Sequence, residues 1–239
     1  MQKLVRAGRG GYCFEQNLLF AHALHALGFE FGGLAARVIF GLPAGSLTAR
    51  SHMLLRIELE GVTWIADVGF GVSTMTGPIA LTAGIEQPTP HEPFRLTPAG
   101  ADYVLETRVK DAWAPLYRFG LDAACIPDYE MASWYLCNCP GSHFTTGLVA
   151  ARPAPDRRYA LRNNVFAIHH RDGRTERRVL GTARELRDTL EGAFALRLPH
   201  APELDAVLER VSSAPAVMPA GEPQAAQSQD AVARVVSGR

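Results

Sequence analysis

The chain has 239 residues, 47% of them hydrophobic and 20% charged, which is enough to bury a substantial core and excludes a disordered or collagenous polymer. Lys and Arg number 24, as do Asp and Glu, so no net basic field draws in nucleic acid or an anionic membrane. No apolar run approaches the ~20 residues that span a bilayer, and the opening MQKLVRAGRGGYCFEQ lacks the apolar centre of a secretory signal. The four cysteines, Cys13, Cys125, Cys137 and Cys139, are too few for a disulfide scaffold. They point to the reducing cytoplasm and leave room for a working thiol.

In chain order, GRGG breaks the backbone and a helix is predicted from Cys13 to Leu27. Phe14, Leu18, Ala21 and Leu24 recur at helical spacing, and Gly28 stands where the helix should end. Residues 34–120 read as β structure, short apolar runs punctuated by Gly and Pro. The stretch Gln87–Pro93 is too proline-rich for a regular element. Residues 141–180 mix strands and turns, with a hairpin centred on Asp172-Gly173. Thr182 and Glu185 form a capping box ahead of a helix that buries Leu186, Leu190 and Phe194. A further short helix is predicted over 202–211. From Ser212 the composition turns small, polar and Pro/Ala/Gln-rich, and a flexible tail is expected.

Cys13 opens a predicted helix after a glycine-rich turn. A helix start favours a thiolate, and the glycines allow a ligand close to the backbone. The glycine cluster is not a dinucleotide fingerprint, because the third glycine of G-x-G-x-x-G would fall on Cys13 itself and no strand precedes it. By position alone, a small buried hydrophobe is the slightly favoured reading of this cysteine.

A thiol nucleophile needs a base, and the base an orienting group. The segment SHMLLRIELEGVTWIADVGFG alternates in two halves around Glu60-Gly61. A two-residue turn there sets Leu54 opposite Asp67 and His52 opposite Gly69. His52 and Asp67 then become diagonal neighbours on one face, roughly 7–8 Å apart at the backbone. The other face, with Met53, Leu55 and Ile57, is assigned to the core. A three-residue loop would put His52 and Asp67 on opposite faces, so the pairing depends on turn type.

The blocks RGGYCFEQN at 9–17, His52 before an apolar strand, DVGFG at 67–71, PDYEMASWYLCNCPGSHF at 127–144 and LRNNVFAIHHRDG at 161–173 resemble the arylamine N-acetyltransferases. The resemblance runs over nearly the whole chain up to the tail. It implies an α+β fold: a partial N-terminal helical bundle (1–30) carrying the nucleophile, a central β-barrel (31–120), an interdomain segment (121–140), a C-terminal α/β lid (141–211) and the tail (212–239). It implies a catalytic triad of Cys13, His52 and Asp67, and CoA contacts from Thr48, Ala49, Ser51, Gly141 and Phe144. Phe70 is implied to line the acceptor pocket.

The implied reaction is ping-pong transfer from acetyl-CoA, a co-substrate and not a tightly bound cofactor, through acetyl-Cys13 to an arylamine, hydrazine or N-hydroxyarylamine. The backbone amide of Cys13 is the first candidate to meet the oxyanion. No metal is expected: Cys137-x-Cys139 with His143 lacks a second cysteine pair. Neither nucleic acid nor membrane is an expected partner, and the sequence is compatible with a homo-oligomer. Arg9 is read as a buried structural ion-pair partner, Glu15 as serving the helix start, and His22, His25, His91, His169 and His170 as ordinary histidines.

Only twelve residues precede Cys13, whereas the resemblance implies a longer helical segment there. The expectation is therefore a truncated front end or a start assigned too late. An amide synthase or other acyltransferase on the same triad, or a non-catalytic remnant, are the competing readings.

Overall fold

The computed structural model describes residues 1–109 and 111–216. Among these residues there are two compact units: Cys13–Thr146, and Met1–Tyr12 together with residues 147–216.

In the first unit, α1 (Cys13–Ala26) buries Cys13, Phe14, Asn17, Ala21 and Leu24. Leu18, expected on that stripe, is half-buried, and Asn17 takes the place inside. The helix ends as its sequence predicts. Gly28 adopts φ +80°, and the Phe29 amide donates back to the Leu24 carbonyl at 3.0 Å, a glycine cap.

Eight strands follow: β1 (Glu30–Val38), β2 (Arg50–Leu59), β3 (Val62–Ala66), β4 (Ile79–Ala80), β5 (Glu86–Gln87), β6 (Phe94–Ala99), β7 (Asp102–Val109) and β8 (Ala112–Ala123). They make one antiparallel sheet in the order β4-β3-β2-β1-β8-β7-β6-β5. Its two edges meet through a side chain. The Gln87 amide accepts from the Ala80 N–H at 2.7 Å and donates to the Ala80 carbonyl at 2.9 Å, standing in for a strand partner that would otherwise leave both edges open.

The β2–β3 hairpin has the predicted two-residue turn. Leu59 pairs with Val62 and Leu55 with Ala66. Glu60 at φ 51° and Gly61 at φ 74° are both left-handed, the geometry that matches the twist of a tight hairpin. One expectation is corrected here. The core does not belong to the Met53 face alone, since residues 52–55 are buried on both sides of β2. Leu54 joins Leu34, Ile65, Phe94, Leu96 and Leu105 in the barrel interior, while α1 and α2 pack against β2 and cover its other side. His52, on the Leu54 side, therefore points inward.

Helix α2 (Ile126–Asn138) was not foreseen as a helix. It buries only Tyr129 and Leu136, so its sequence carries little amphipathic signal. Asp128 caps its start by accepting from the Cys125 N–H at 2.8 Å. The Tyr129 hydroxyl anchors it on β1, donating to the Leu34 carbonyl at 3.2 Å. A Cβ on Gly33 would lie 2.4 Å from that hydroxyl, so the glycine is what lets α2 dock. A short α3 (His143–Thr146) closes the unit.

The second unit holds the antiparallel sheet β9 (Val149–Ala154), β10 (Arg157–Arg162), β11 (Val165–His170) and β12 (Thr175–Val179), with α4 (Ala183–Gly192) and α5 (Pro202–Ser213). The hairpin at Asp172-Gly173 and the Thr182–Glu185 capping box form as predicted. Leu161, Leu186, Leu190, Phe194 and Leu208 share its core.

Two boundaries differ from the sequence reading. Residues 1–12 group with this unit and not with the helix that follows them: the Arg197 N–H donates to the Gly8 carbonyl at 2.9 Å, and the Gly10 backbone lies against Leu196. Helix α5 runs two residues past Val211, into the segment expected to be a tail. The Asn164 amide holds its end by donating to the Ser212 and Ala214 carbonyls. The rest of that expected tail, from residue 217, lies outside the described residues. Arg9, expected buried, is exposed.

Candidate active site

The nucleophile candidate, Cys13, is the first residue of α1 and is 6% exposed. Its thiol donates to the Ser51 carbonyl at 3.8 Å and interacts electrostatically with the His52 imidazole. His52 and Asp67 are 3% and 1% exposed. The His52 Nε2–H donates to Asp67 Oδ2 at 2.6 Å, which leaves Nδ1 as the ring nitrogen for the thiol. The diagonal pairing inferred from strand alternation is thus present, carried on past the last paired residues of the hairpin.

Burial by itself disfavours the charged imidazolium. The negative charge of Asp67 and its hydrogen bond, helped by Cys13, override that burial and raise the His52 pKa to about 10. Burial likewise works against the Asp67 carboxylate. The adjacent His52, the Asn17 amide and the Gly69 N–H outweigh it and hold the carboxyl below its usual range. The pair is therefore ionised at neutral pH.

The backbone that presents Asp67 turns immediately afterwards. The Gly69 N–H donates to Asp67 Oδ1 at 2.8 Å, an Asx-turn, and Thr74 Oγ1 donates to the Asp67 carbonyl at 3.0 Å. Gly69 lies so close to α1 that a Cβ there would be 2.6 Å from the Cys13 Cα. This close approach is how the DVGFG glycine lets Cys13, the candidate nucleophile, reach the His–Asp pair.

Around the imidazole the walls are aromatic. The Phe70 ring centroid is 5.1 Å from that of His52 and edge-on to it, with Tyr117 at 4.9 Å. Phe40 meets Phe70 edge-on at 6.0 Å. Tyr117 is fully buried, and burial, then the charge of Asp67, push its phenol well above the usual tyrosine range, so it stays neutral.

Among the other expected site residues, Ser51 meets Cys13 through its carbonyl. Thr48 is fixed in the preceding loop: its hydroxyl donates to the Val38 carbonyl at 2.9 Å, and its carbonyl accepts from Arg37. Ala49 is exposed on the same loop. Beside this loop lies a groove of about 440 Å³ whose lining includes Arg37, Arg50, Arg118 and Asp102, with a surplus of positive charge. Gly141 and Phe144 lie apart in sequence, on the turn after α2 and in α3, with Phe144 42% exposed and its ring against that of His143. Among the described residues no cluster of His, Cys, Asp and Glu has the makings of a metal site.

Sequence reasoning overlooked Asn17, Tyr117 and Phe40. Asn17 carried a signal: a polar residue one turn after Cys13, on the face the helix buries. Tyr117 and Phe40 come from elements distant in sequence, and nothing local marks them.

A buried Cys-His-Asp constellation on a helix and an adjoining antiparallel barrel defines an acyl-transfer enzyme of the cysteine-protease-like α+β class. Comparison with known proteins narrows the class. A family model described as N-acetyltransferase matches residues 1–203. The chain is 41% identical over 199 residues to an arylamine N-acetyltransferase of Mycolicibacterium smegmatis, covering 82% of this chain and 72% of that protein. It is 40% identical over 196 residues to that of Escherichia coli, covering 82% and 69%. Among solved structures, the Mycobacterium marinum arylamine N-acetyltransferase in complex with CoA superposes with a TM-score of 0.84 at 37% identity, over 88% of this chain and 79% of that one. This chain belongs to the arylamine N-acetyltransferase family.

Proposed function

We propose that this protein transfers acetyl from acetyl-CoA to an arylamine, hydrazine or N-hydroxyarylamine, with Cys13, His52 and Asp67 as its catalytic triad. The observation that carries the reading is the buried 2.6 Å His52–Asp67 contact, with the Cys13 thiol close enough to act on the imidazole. The Cys13 thiolate attacks the thioester carbonyl carbon, forming a C–S bond. The tetrahedral adduct collapses as the CoA sulfur leaves with a proton from His52, and acetyl-Cys13 remains. Exchange between thioesters is nearly isoenergetic, so a thiol suits this step.

An arylamine, unprotonated at neutral pH, then attacks acetyl-Cys13. His52 takes the amine proton, the amide leaves and the thiolate is restored. Asp67 fixes the ring and stabilises the imidazolium throughout. The Cys13 amide, at the first position of α1, has no intrahelical acceptor and is the oxyanion donor in this reading.

For CoA, the groove beside the Thr48–Ser51 loop supports a place for phosphate groups, because Arg37, Arg50 and Arg118 outnumber Asp102 there. Thr48, Ala49, Ser51, Gly141 and Phe144 remain the proposed contacts to the rest of CoA, and Phe70 with Phe40 the wall facing the acceptor ring. A cytoplasmic location agrees with this use of acetyl-CoA, and among the described residues no helix is long and apolar enough to cross a membrane.

Intact mass spectrometry after incubation with acetyl-CoA tests the proposal. A single acetyl adduct is expected on the wild type, lost again on adding an arylamine, and absent in Cys13→Ser. Asp67→Asn should lower turnover by about 10²–10⁴-fold through the wrong imidazole tautomer. A folded wild type that forms no adduct on Cys13 rules the reading out, and an adduct formed only from longer acyl thioesters favours an amide synthase.

A further inference from the structure

We infer that Asn17 is a positioning residue for acyl transfer, tying together the three chain segments that carry Cys13, His52 and Asp67 and setting which Asp67 oxygen faces the imidazole. The inference rests on the triad reading above.

Asn17 is wholly buried, one turn after Cys13 on α1. It shares the two hydrogens of its Nδ2 among three acceptors: the Cys13 carbonyl at 3.1 Å, the Met53 carbonyl at 2.8 Å and Asp67 Oδ1 at 3.0 Å. Its Oδ1 accepts from the Val68 N–H at 3.1 Å. One side chain thus holds the nucleophile's own carbonyl, the residue after His52, the triad carboxylate and the residue after that.

The contacts also fix which way the amide lies. Rotated by half a turn, its oxygen would face three acceptors and its NH₂ an N–H donor. Only a neutral group with donors on one side and an acceptor on the other satisfies the site, and an apolar residue would leave buried polar groups short of partners.

Asn17 and the Gly69 N–H both donate to Oδ1 of Asp67. Oδ2 is then the oxygen presented to His52 Nε2. Donors on a carboxylate favour its ionised form, in keeping with the depressed Asp67 carboxyl. The other ionisable groups facing the His52–Asp67 pair are Cys13 from α1 and Tyr117 from β8. Asn17 is a neutral side-chain donor beside them. Its removal frees the carboxylate to rotate and makes it easier to protonate. The imidazolium then loses support, and through it the Cys13 thiolate.

The test uses Asn17→Ala and the isosteric Asn17→Asp, each checked for folding by circular dichroism. It measures acetyl-transfer kinetics together with the pH dependence of Cys13 alkylation by iodoacetamide. Both variants are expected to lose about 10²-fold in kcat through misplacement of the triad, with KM for acetyl-CoA nearly unchanged. The acid limb of alkylation should move to higher pH, further in Asn17→Asp because a second carboxyl then faces Asp67.

Should Asn17→Ala not fold, Asn17→Asp keeps the shape and carries the test. If neither folds, or either retains the wild-type rate, or the rate falls with the acid limb unmoved, the role is structural and the inference is wrong. Wild-type protein treated in parallel separates the two readings. No acetyl-Cys13 on the wild type sinks the triad itself, whereas normal wild-type acetylation with indifferent variants removes only Asn17.

Discussion

Gly69→Ala tests the geometry of the site most directly, because one added carbon acts on Cys13 and on the Asn17 amide beside it. The new Cβ would lie 2.6 Å from the Cys13 Cα, 2.8 Å from Asn17 Nδ2 and 3.0 Å from the Cys13 carbonyl oxygen. Ordinary carbon contacts begin near ~3.5 Å, so the start of α1 and the Asp67 turn must separate by about 1 Å. No flexible side-chain tip can give way, since two of the three atoms are backbone. The expected structural cost is that of overpacking a close contact, about 1–3 kcal/mol, which a well-cored unit survives. The catalytic cost is larger: misplacing the reacting groups by about 1 Å corresponds to roughly 10²-fold in rate.

Steady-state acetyl transfer and urea unfolding on the same preparations measure both quantities. Gly32→Ala serves as the control, since a Cβ there meets nothing within 4 Å. It should leave the rate unchanged. Wild-type turnover in Gly69→Ala would refute the argument that the DVGFG glycine is required for close approach to Cys13. A loss of rate in proportion to unfolding would refute it equally.

Two further outcomes follow from the charges. The His52 pKa is raised to about 10 from the ordinary 6.5, so the stability it confers is complete below pH 6.5 and declines as pH rises towards 10. The Asp67 carboxyl is depressed, and its contribution is present above the ordinary carboxyl range and lost as pH falls through the lowered value. Urea midpoints followed from pH 6 to 10 should therefore fall in the wild type and flatten in Asp67→Asn; parallel curves would contradict the pairing. Arg50→Glu, which reverses a charge in the groove beside the Thr48–Ser51 loop, should raise KM for acetyl-CoA about tenfold at low salt and less at high salt. An unchanged KM would remove the groove from the CoA reading.

The site was legible in the sequence where chain neighbours define geometry. Strand alternation around Glu60-Gly61 placed His52 and Asp67 on one face, and the turn proved to be the two-residue kind that this requires. The breaker before Cys13 and Gly28 after the helix marked both ends of α1 correctly. Helix α2 escaped because its exposed Met131 and Trp134 and its few buried residues mimic no amphipathic pattern. The face of β2 with Met53, Leu55 and Ile57 is buried as read, but the burial of the His52–Leu54 face was missed for a related reason: alternation separates two faces but does not say that both are covered.

The local sequence determined the candidate reactive groups, the hairpin register that pairs His52 with Asp67, and the helix end that bears Cys13. These depend on period, turn chemistry and capping, all of them short-range. Only the tertiary structure decided that His52 faces inward among Phe70 and Tyr117, that Gly69 abuts Cys13, and that the first twelve residues pack with the chain beyond Gly147. It alone showed Asn17 bridging α1, β2 and the Asp67 turn. Those relations join residues from 18 (His52 and Phe70) to 189 (Gly8 and Arg197) positions apart, and such contacts are set by packing and by the burial of polar groups. Neither is written in any local pattern.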